Sequence, residues 1–255
     1  MTLPSLTVIT PSYNQAAFIG QTIESVLAQN YPALQYLLID GASTDHTAAV
    51  VAPYAHRLTF ISEPDRGQTD AINKGLRLAT GDIVCWLNSD DYFLPGTLRA
   101  VGTFFANHPD ALWLTGDCAI VDEAGQPIQR AVQTYKRWLR TIGPTASLGV
   151  TNAICQPATF WRRTAHDQLG HLRDDLRYTM DYDWWLRLAR VQPPALSEQV
   201  LSAFRIHRAS KGGSQYKKQF AEDYQTLRRH VSSPWIRGLH RLHNGLITTA
   251  YRLVK

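Results

Sequence analysis

Residues 6–107 repeat one pattern four times, and this repetition limits the fold more than any other feature. Short apolar runs lie at 6–10, 36–40, 58–62 and 83–87, and amphipathic segments follow them at 18–27, 47–54, 68–79 and about 95–107. Strands that alternate with helices in this way form parallel sheets covered by helices. We therefore predict an α/β fold with a mainly parallel, Rossmann-like sheet flanked by helices.

The rest of the chain completes the domain and then changes character. The pattern predicts a helix from about 95 to 107, a strand at 111–115, a hairpin near 122–125 and a helix near 182–190. With 255 residues, 44% of them hydrophobic, the chain is long enough for one large domain and an appendage. We assign 1–214 to the domain, with halves at about 1–117 and 118–214, and 215–255 to a C-terminal helical extension.

The cysteines and the apolar runs bear on the cellular compartment. Cys85, Cys118 and Cys155 are far apart and form no Cys-x-x-Cys pair, so neither a disulfide framework nor a thiolate metal site is indicated. The N-terminus lacks a basic segment followed by an apolar core, and no run reaches the ~18 apolar residues of a membrane span. We expect a cytoplasmic protein that is neither exported nor membrane-spanning.

Positive charge is concentrated at the end of the chain. Residues 215–255 contain 8 Lys and Arg against 2 Asp and Glu, whereas 1–214 contain 18 against 19. The neutral body argues against nucleic acid as a partner, because nucleic-acid-binding domains spread a basic footprint over the main fold. Apolar residues at helical spacing across 236–254 predict a basic amphipathic helix. Such a helix either lies on an anionic membrane surface or packs on the body or in a dimer interface.

The fourth apolar run ends abruptly in Asn88, Ser89, Asp90 and Asp91. Residues directly after a buried parallel strand lie at the carboxyl edge of the sheet, where open α/β folds bind ligands. Two adjacent carboxylates suit Mn²⁺ or Mg²⁺, which keeps some waters and bridges to a diphosphate. The alternative is that the two acids start a turn and cap the helix near Pro95.

The other predicted strand ends carry polar side chains of similar character. They are Asp40, Asp45, Asp65, Arg66, Asp70, Asn73 and Lys74. A carboxylate such as Asp40 can accept a hydrogen bond from a base N–H, and Arg66 or Lys74 can neutralise phosphate. The set indicates a nucleotide-diphosphate pocket, and an ordinary turn with a helix cap remains the alternative for 40–45.

Five segments carry a family resemblance through their order and spacing. They read Val-Ile-Thr-Pro-Ser-Tyr-Asn-Gln at 8–15, Ile-Asp-Gly-Ala-Ser-Thr-Asp at 39–45, Ser-Glu-Pro-Asp-Arg-Gly-Gln at 62–68, Asn-Lys-Gly at 73–75 and Leu-Asn-Ser-Asp-Asp at 87–91. Together they resemble the family 2 glycosyltransferases over residues 5–210. The resemblance implies a GT-A fold, an inverting mechanism and a nucleotide-diphosphate sugar donor, usually a UDP-sugar. We call 1–117 the donor half and 118–214 the acceptor half.

The resemblance assigns roles to individual residues of the donor half. Pro11 and Tyr13 would form the wall of the base pocket, and Asp40 would pair with the uracil ring. Asp90 would be the main protein ligand of Mn²⁺ or Mg²⁺, with Asp91 close behind it. The complete nucleotide-binding set is Pro11, Tyr13, Asp40, Asp65, Arg66, Asn73, Lys74, Asn88 and Ser89.

Two positions of the donor half depart from the family pattern. Asn88 replaces the first acid of the Asp-x-Asp signature, so it offers a neutral carbonyl to the ribose or the metal and supplies no charge. Ala42 replaces the more usual glycine, which matters only if this residue has a positive φ.

The acceptor half contains the catalytic candidate. The segment 180–187 reads Met-Asp-Tyr-Asp-Trp-Trp-Leu-Arg and resembles the family's Glu-Asp-Tyr-Asp-x-Trp-Leu-Arg. The resemblance aligns Asp181 with the general base that takes the proton of the acceptor hydroxyl. The alternative for Asp181 is a helix cap. Asp183 is expected to orient a neighbouring arginine.

Further residues of this half are candidates for the metal and the acceptor. The segment 205–211 resembles the family's C-terminal Arg-x-His segment, which makes His207 a ligand of the metal or the diphosphate, or else an ordinary surface residue. Gln156, Trp161 and Trp184 are predicted to line the acceptor site, because amides bind hydroxyls and planar rings stack on sugars. Core and loop packing is the alternative for these three.

Three classes of function are consistent with these residues. The leading one is a metal-dependent inverting glycosyltransferase acting on a hydroxyl of a glycan or polyprenyl-linked acceptor in polysaccharide assembly. The second is a nucleotidyltransferase that makes a nucleotide sugar, although no glycine-rich basic loop lies near the N-terminus. The third is a catalytically silent relative that binds a nucleotide sugar or partner proteins. With a lipid-linked acceptor, the extension would place the protein peripherally on the inner face of the cell membrane.

Overall fold

The computed structural model describes residues 2–208 and 216–254. Its strands are β1 Leu6–Ser12, β2 Leu34–Asp40, β3 Thr59–Ser62, β4 Ile83–Trp86, β5 Tyr92–Phe93, β6 Trp113–Val121, β7 Thr159–Arg162 and β8 Ala195–Arg205. Its helices are α1 Ile19–Leu27, α2 Thr47–Val51, α3 Gln68–Leu78, α4 Thr97–Asn107, α5 Arg130–Ile142, α6 Pro144–Val150, α7 Ala165–Leu169, α8 Met180–Val191, α9 Tyr216–His230 and α10 Pro234–Val254. The strands form one sheet in the order β3-β2-β1-β4-β7-β6-β8-β5.

The donor half forms the parallel part of this sheet. β1 pairs in parallel with β2 and β4, and β2 pairs in parallel with β3. Every residue of β1 and β4 is buried, and α3 packs against β1 and β2. This explains why the strands are continuous apolar runs. The predicted mainly parallel α/β sheet is confirmed, and the ends of β1, β2 and β3 lie in register at Ser12, Asp40 and Ser62.

The acceptor half adds the antiparallel part. β7 lies antiparallel between β4 and β6, β8 is parallel to β6, and β5 is antiparallel to β8. β6 continues to Val121, beyond the predicted end at 115, because a register shift around Asp117 takes up Gly116 within the strand. The glycine therefore marks a bulge and not the end of a strand.

The turn predicted after β6 is present, but the strand that would complete a hairpin is short. Asp122 Oδ1 accepts hydrogen bonds from the N–H groups of Ala124 (2.9 Å) and Gln126 (2.8 Å). The returning chain makes a bridge between Pro127 and Val121 and then enters α5.

Four tryptophans form the centre of the core. Trp185 of α8 stacks on Trp86 of β4 and Trp113 of β6, with ring centroids 5.7 and 5.8 Å apart, and Trp161 of β7 meets Trp86 edge-on at 5.5 Å. All four side chains are fully buried. Aromatic pairs of this kind contribute about 0.5–1.5 kcal/mol each beyond the burial of their area. This cluster fixes α8 against the sheet.

The two tail helices pack on the acceptor half. α9 contacts α8, and α10 contacts both α9 and α6. At the α6 contact, a Cβ on Gly149 would meet Ile236 at 2.9 Å. Packing on the body is therefore observed for α9 and for one face of α10, while the proposed boundary after residue 214 lies outside the described residues. Within 2–208 and 216–254, no helix combines the length and apolar character that crossing a bilayer requires.

Ala42, just after β2, has a φ of 58°. This is the left-handed region in which a Cβ is unfavourable and glycine is not. Ala42→Gly is therefore expected to raise the free energy of unfolding by about 0.5–1 kcal/mol, since relief of strain exceeds the entropy cost of glycine. Urea denaturation measures the change. The control is Ala49→Gly in the exposed part of α2, which should lower stability by about 1 kcal/mol. Losses of similar size in both variants would contradict strain at Ala42.

Candidate active site

Asp40 ends β2 at the carboxyl edge of the sheet and is buried. Its Oδ2 accepts hydrogen bonds from the N–H of Ser43 (2.8 Å) and the hydroxyl of Ser62 (2.7 Å), and its Oδ1 accepts one from the Ser43 hydroxyl (2.5 Å). A carboxylate has about four lone-pair positions. Ser43 and Ser62 thus occupy three of them, and a hydrogen bond from a base N–H to the fourth stays a prediction.

The loop after β1 packs on the same turn. Asn14 donates from its N–H to the hydroxyl of Ser43 (2.7 Å) and adopts a φ of 53°, which asparagine tolerates. Pro11 is buried within β1, whereas Tyr13 is 59% exposed. The three residues predicted to hold the base therefore come from the ends of adjacent strands, with the Tyr13 ring open to solvent beside the Asp40 turn.

The loop after β3 presents an exposed guanidinium. Asp65 packs on Gly41, where a Cβ would meet Asp65 Oδ2 at 2.5 Å, so only glycine allows this approach. Arg66 is 74% exposed and lies 3.2 Å from Asp70 and 3.0 Å from Asp174. The ion pair with Asp174 is exposed and therefore weak, whereas only 11% of the Asp70 side chain is exposed. A phosphate can therefore replace Asp174 as a partner of Arg66 at little cost.

Lys74 and Asn73, on α3, are engaged within the protein. Lys74 Nζ lies 2.8 Å from Glu63 Oε1 and donates to the carbonyl of Pro64 (3.0 Å). Asn73 is buried, and its amide donates to the carbonyl of Leu172 (2.8 Å) and accepts from the N–H of Leu172 (3.0 Å). Asn73 therefore joins α3 to the segment before α8, and its contact with a nucleotide stays a prediction.

Asn88 is the centre of a hydrogen-bond network after β4. Its Oδ1 accepts from Gln68 Nε2 (2.7 Å), and its Nδ2 donates to Asp91 Oδ2 and Gln156 Oε1 (both 3.1 Å). Gln156 in turn donates to the carbonyl of Trp86 (2.7 Å). An aspartate at position 88 could not donate to Asp91. The departure from the Asp-x-Asp signature therefore has a structural reason in this chain.

Asp91 is buried beneath this network. Its Oδ1 accepts from the N–H of Arg205 at the end of β8 (2.9 Å), and its Oδ2 accepts from Asn88. Burial, and secondly the charge of Asp90, raises the pKa of Asp91 well above its ordinary value. The neighbouring Ser89 is also buried. Asp91 thus connects the loop after β4 to β8.

Asp90 is the accessible acid of the pair, with 21% of its side chain exposed. Its Oδ2 lies 2.9 Å from Nε2 of His207, and the His207 ring lies 4.6 Å from the ring of Phe18. Two predicted metal ligands from distant parts of the sequence therefore meet at the end of β4.

The donor set at this point fits a cation shared with a nucleotide. In the described part of the chain, no group of three or more His, Cys, Asp or Glu side chains is arranged to hold a metal ion. A cation that bridges to phosphates keeps waters and needs only one or two protein carboxylates. Asp90 with His207 provides a small, partly exposed set of this kind. Asp91, predicted as a further ligand, is buried and accepts hydrogen bonds from Arg205 and Asn88, and its contact with a metal stays a prediction.

Asp181 lies in the first turn of α8 and is half-buried. Its Oδ2 accepts from Asn152 Nδ2 (3.0 Å) and its Oδ1 from the N–H of Tyr182 (2.7 Å). Burial raises the pKa of Asp181 to about 6, against the opposing effect of these two hydrogen bonds. The N-cap position belongs to Thr179, so Asp181 is not the cap. A carboxyl that titrates near neutrality is suited to general base catalysis.

The start of α8 is capped from the tail. Glu222 Oε1 of α9 accepts from the N–H groups of Tyr178 (2.7 Å) and Thr179 (2.9 Å) and from the Thr179 hydroxyl (2.9 Å). A carboxylate at a helix N-terminus is stabilised by the free N–H groups and the helix dipole. The tail therefore helps to position the helix that carries Asp181.

Asp183 is a buried structural acid of the same helix. It accepts from Arg187 Nε (2.9 Å) and lies 2.7 Å from Nε2 of His230. Burial alone would raise the pKa of Asp183, but the hydrogen bond from His230 and the charge of Arg187 outweigh it and hold the pKa below its usual value. The expected pairing with an arginine is present.

A short loop joins the two halves of the site. Asn152 binds Asp181 in the acceptor half, and Gln156 binds Asn88 in the donor half. Four residues of chain span at most about 14 Å. The loop 151–156 therefore holds Asp181 and the polar end of β4 within one site.

Two predicted acceptor residues are instead part of the core. Trp161 and Trp184 are fully buried. Trp161 donates to His166 Nε2 (3.0 Å), and Trp184 stacks on the same His166 with centroids 4.5 Å apart. A sugar cannot stack on a ring without exposed surface, so core packing corrects the acceptor assignment of both. Gln156 remains at the site through Asn88.

Three residues with contacts at the site were missed from the sequence. Gln68 closes a motif that carries the family resemblance, so its position was available as a signal. Asn152 and Glu222 lie in no motif, and they contact the start of α8 from 29 and 43 residues away. No local pattern could have identified these two.

The comparisons with known proteins agree with this geometry. Residues 7–170 match the family model Glycosyl transferase family 2. The PGL/p-HBAD biosynthesis glycosyltransferase of Mycobacterium tuberculosis (strain ATCC 25177 / H37Ra) is 31% identical over 201 residues, which are 77% of this chain and 73% of the relative.

Two solved structures share the fold. TarS 1–349 of S. aureus, in complex with UDP-GlcNAc, matches with a TM-score of 0.69 at 18% identity, over 89% of this chain and 66% of that chain. The mannosyltransferase PcManGT of Pyrobaculum calidifontis, in complex with GDP-Man and Mn²⁺, matches with a TM-score of 0.68 at 20% identity, over 99% and 81%.

The mainly parallel sheet with an acidic carboxyl edge is that of a GT-A enzyme, which confirms the predicted fold. The chain belongs to glycosyl transferase family 2 and is a glycosyltransferase.

Proposed function

We propose that this enzyme transfers a sugar, with inversion at the anomeric carbon, from a UDP-sugar to a hydroxyl of a glycan or polyprenyl-linked acceptor. The observation that carries the proposal is the loop 151–156, which hydrogen-bonds to both Asp181 and Asn88. Direct transfer needs a base beside the donor, because the reacting groups must be held together in the correct orientation.

The donor half supports a site for uridine diphosphate. Tyr13 offers an exposed ring, and the fourth lone-pair position of Asp40 would accept a hydrogen bond from a base N–H. Arg66 would turn from its exposed ion pair with Asp174 to a phosphate, and Lys74 would add positive charge beside it. The remaining residues of the proposed nucleotide site are Pro11, Asp65, Asn73, Asn88 and Ser89. The structural relatives hold UDP-GlcNAc and GDP-Man, and we choose UDP from the motif around Asp40.

Asp90 and His207 would hold a divalent cation together with the diphosphate. When bound, such a cation neutralises the charge that develops on the departing diphosphate. An imidazole nitrogen is a softer donor than oxygen, which favours Mn²⁺ over Mg²⁺. The convergence of these two side chains and the Mn²⁺ in PcManGT support this assignment. Arg66 and Lys74 would stabilise the same charge.

The reaction at the acceptor would be a single displacement. The hydroxyl oxygen forms a bond to the anomeric carbon while the bond from that carbon to the diphosphate oxygen breaks, through an oxocarbenium-like transition state. The carboxylate of Asp181 takes the hydroxyl proton. Hydrogen bonds from Asn152 and Tyr182 hold both carboxylate oxygens, so the orientation of the base is set before the acceptor binds.

The nucleotide that is released from the donor during the reaction tests the proposal. The purified enzyme with Mn²⁺, a panel of UDP-sugars and polyprenyl-phosphate-linked sugar acceptors is expected to release UDP together with a lengthened acceptor. GDP-Man serves as the comparison donor. Pyrophosphate from UTP and a sugar phosphate would identify a nucleotidyltransferase instead. Tight binding of a UDP-sugar without turnover on any acceptor would favour a silent relative.

A further inference from the structure

Exposed apolar side chains are concentrated on two helices. Of thirteen large hydrophobic side chains exposed in the described residues, nine lie on α5 and α10. They are Val132, Tyr135, Trp138 and Ile142 of α5, and Trp235, Ile236, Leu239, Leu242 and Leu246 of α10. We call these nine side chains the α5–α10 surface. Their concentration distinguishes them from scattered surface hydrophobics, which need no explanation.

Each helix presents these residues as a stripe in addition to the face that it buries. The spacing of three and four residues along each helix places the side chains on one face. Leu139 and Arg140 of α5, and His240 and Asn244 of α10, are buried against the protein. Each helix is therefore held on the protein by its buried face. The exposed stripe makes no part of that contact and is available for a partner.

The two stripes are adjacent. The hydroxyl of Tyr135 lies 2.8 Å from Nε2 of His243, and the two rings are stacked with centroids 5.9 Å apart. The Tyr135 ring also stacks on Trp138 at 6.1 Å. His243 is next to Leu242 on α10. The aromatic contacts therefore connect the stripe of α5 with that of α10 into one surface.

The charges around the surface favour an anionic membrane over a second copy of the protein as its partner. Neither helix contains an Asp or Glu within 130–142 or 234–254, and Arg130 and Arg241 are exposed, while Arg137 pairs with the buried Asp117 of β6. A second copy of the same surface would bring like charges together, which opposes association. Anionic lipid headgroups complement the exposed arginines, and tryptophans such as Trp138 and Trp235 are favoured at the membrane–water interface.

We propose that the α5–α10 surface binds peripherally to an anionic lipid bilayer and so holds the acceptor side of the site next to a lipid-linked substrate. Binding to the bilayer is carried by the surface alone, and the role toward the acceptor rests on the proposed function. A direct contact connects the α5–α10 surface with the acceptor side of the site. Arg140, on the buried face of α5, donates to the carbonyl of Ala153 (2.7 Å), next to the Asn152 that binds Asp181.

Vesicle flotation of the full chain tests the surface. The protein is expected to float with vesicles of phosphatidylcholine and phosphatidylglycerol, and much less with phosphatidylcholine alone or at high salt. Trp138→Ser and Trp235→Ser should each weaken partition about tenfold, because each removes a large apolar side chain from the interface. The matched controls are Leu78→Ser and Val191→Ser, which are exposed by 45% and 51% elsewhere on the protein and should float as the wild type does.

Several results would overturn the proposal. One is the absence of flotation with anionic vesicles, and another is equal flotation of the tryptophan variants and the wild type. A third is a dimer in light scattering that Trp138→Ser dissociates without any vesicle binding, which would make the surface a subunit interface. Calorimetric titration of UDP without vesicles reports separately on the donor site. Vesicle binding without nucleotide binding would uphold the surface and contradict the proposed function.

Discussion

Asp181→Asn is expected to lower sugar transfer by about 10²–10⁴-fold, the range that a positioned general base contributes, and to leave the affinity for UDP unchanged. Asparagine has the same shape and keeps an oxygen for the N–H of Tyr182, but it cannot take the acceptor proton. Because the proposed nucleotide contacts come from the donor half, only the chemical step should suffer. UDP release measures turnover, and calorimetry measures binding.

The control is Asp167→Asn. Asp167 lies in the first turn of α7, just as Asp181 lies in the first turn of α8, but Asp167 is exposed. This variant should transfer sugar at the wild-type rate. Wild-type turnover in Asp181→Asn would show that another group takes the proton. A loss of UDP binding in Asp181→Asn would indicate a fault in the fold or in the donor site.

The pH dependence of turnover provides a second readout for the same carboxyl. The base acts in its ionised form, and burial raises the pKa of Asp181 to about 6. Activity should therefore rise with pH through about 6 and level off above about 7. At pH 5, about a tenth of the carboxyls are ionised, so kcat/KM should be about tenfold below its plateau. The residual activity of Asp181→Asn should lack this limb, and a wild-type limb near pH 4 would contradict the assignment.

Asp90→Asn is expected to remove the effect of Mn²⁺ on UDP binding and to lower transfer by about 10²–10³-fold. The reason is that a cation at a departing diphosphate contributes several kcal/mol to the transition state. Asp90 is the accessible carboxylate at the end of β4 and lies beside His207. Calorimetric titration of UDP with and without Mn²⁺, on the wild type and the variant, measures the effect directly.

The matched control is at the other end of the same strand. Asp82 precedes β4 and accepts hydrogen bonds from the N–H (2.9 Å) and the hydroxyl (2.7 Å) of Ser5. Asp82→Asn should retain the effect of Mn²⁺, although it weakens this surface contact. Unchanged enhancement of UDP binding by Mn²⁺ in Asp90→Asn would show that the cation is held by other residues.

The parallel part of the fold could be predicted because its signals are local. Apolar runs with helices between them define strands and crossovers, and chain direction places the residue after each parallel strand at the same edge. Asp40 and Asp90 were located in this way before any contact was known. The predicted strand boundaries were less accurate where a residue type, such as glycine, occurs both within strands and at their ends. The strand predicted at 111–115 continues to Val121, because the chain passes through a bulge at Gly116 and Asp117.

The tryptophans show the same limit more clearly. Trp161 and Trp184 have the composition expected of a sugar-binding wall, yet both are fully buried. Whether a tryptophan ring is buried depends on the groups that pack against it. For these two rings one such group is His166, which contacts them only when β7, α7 and α8 are packed together. The sequence contained the alternative of core packing but no means of choosing it.

The sequence by itself determined the α/β class, the polar strand ends and the family, because side-chain periodicity, strand direction and motif order are properties of neighbouring residues. Only the tertiary structure decided that Asp90 meets His207, that Asn152 holds Asp181 and that a tail carboxylate, Glu222, caps α8. These pairs join segments from 29 to 117 residues apart. Their contacts and burial, which also raise the pKa of Asp181, arise only when the whole chain is packed.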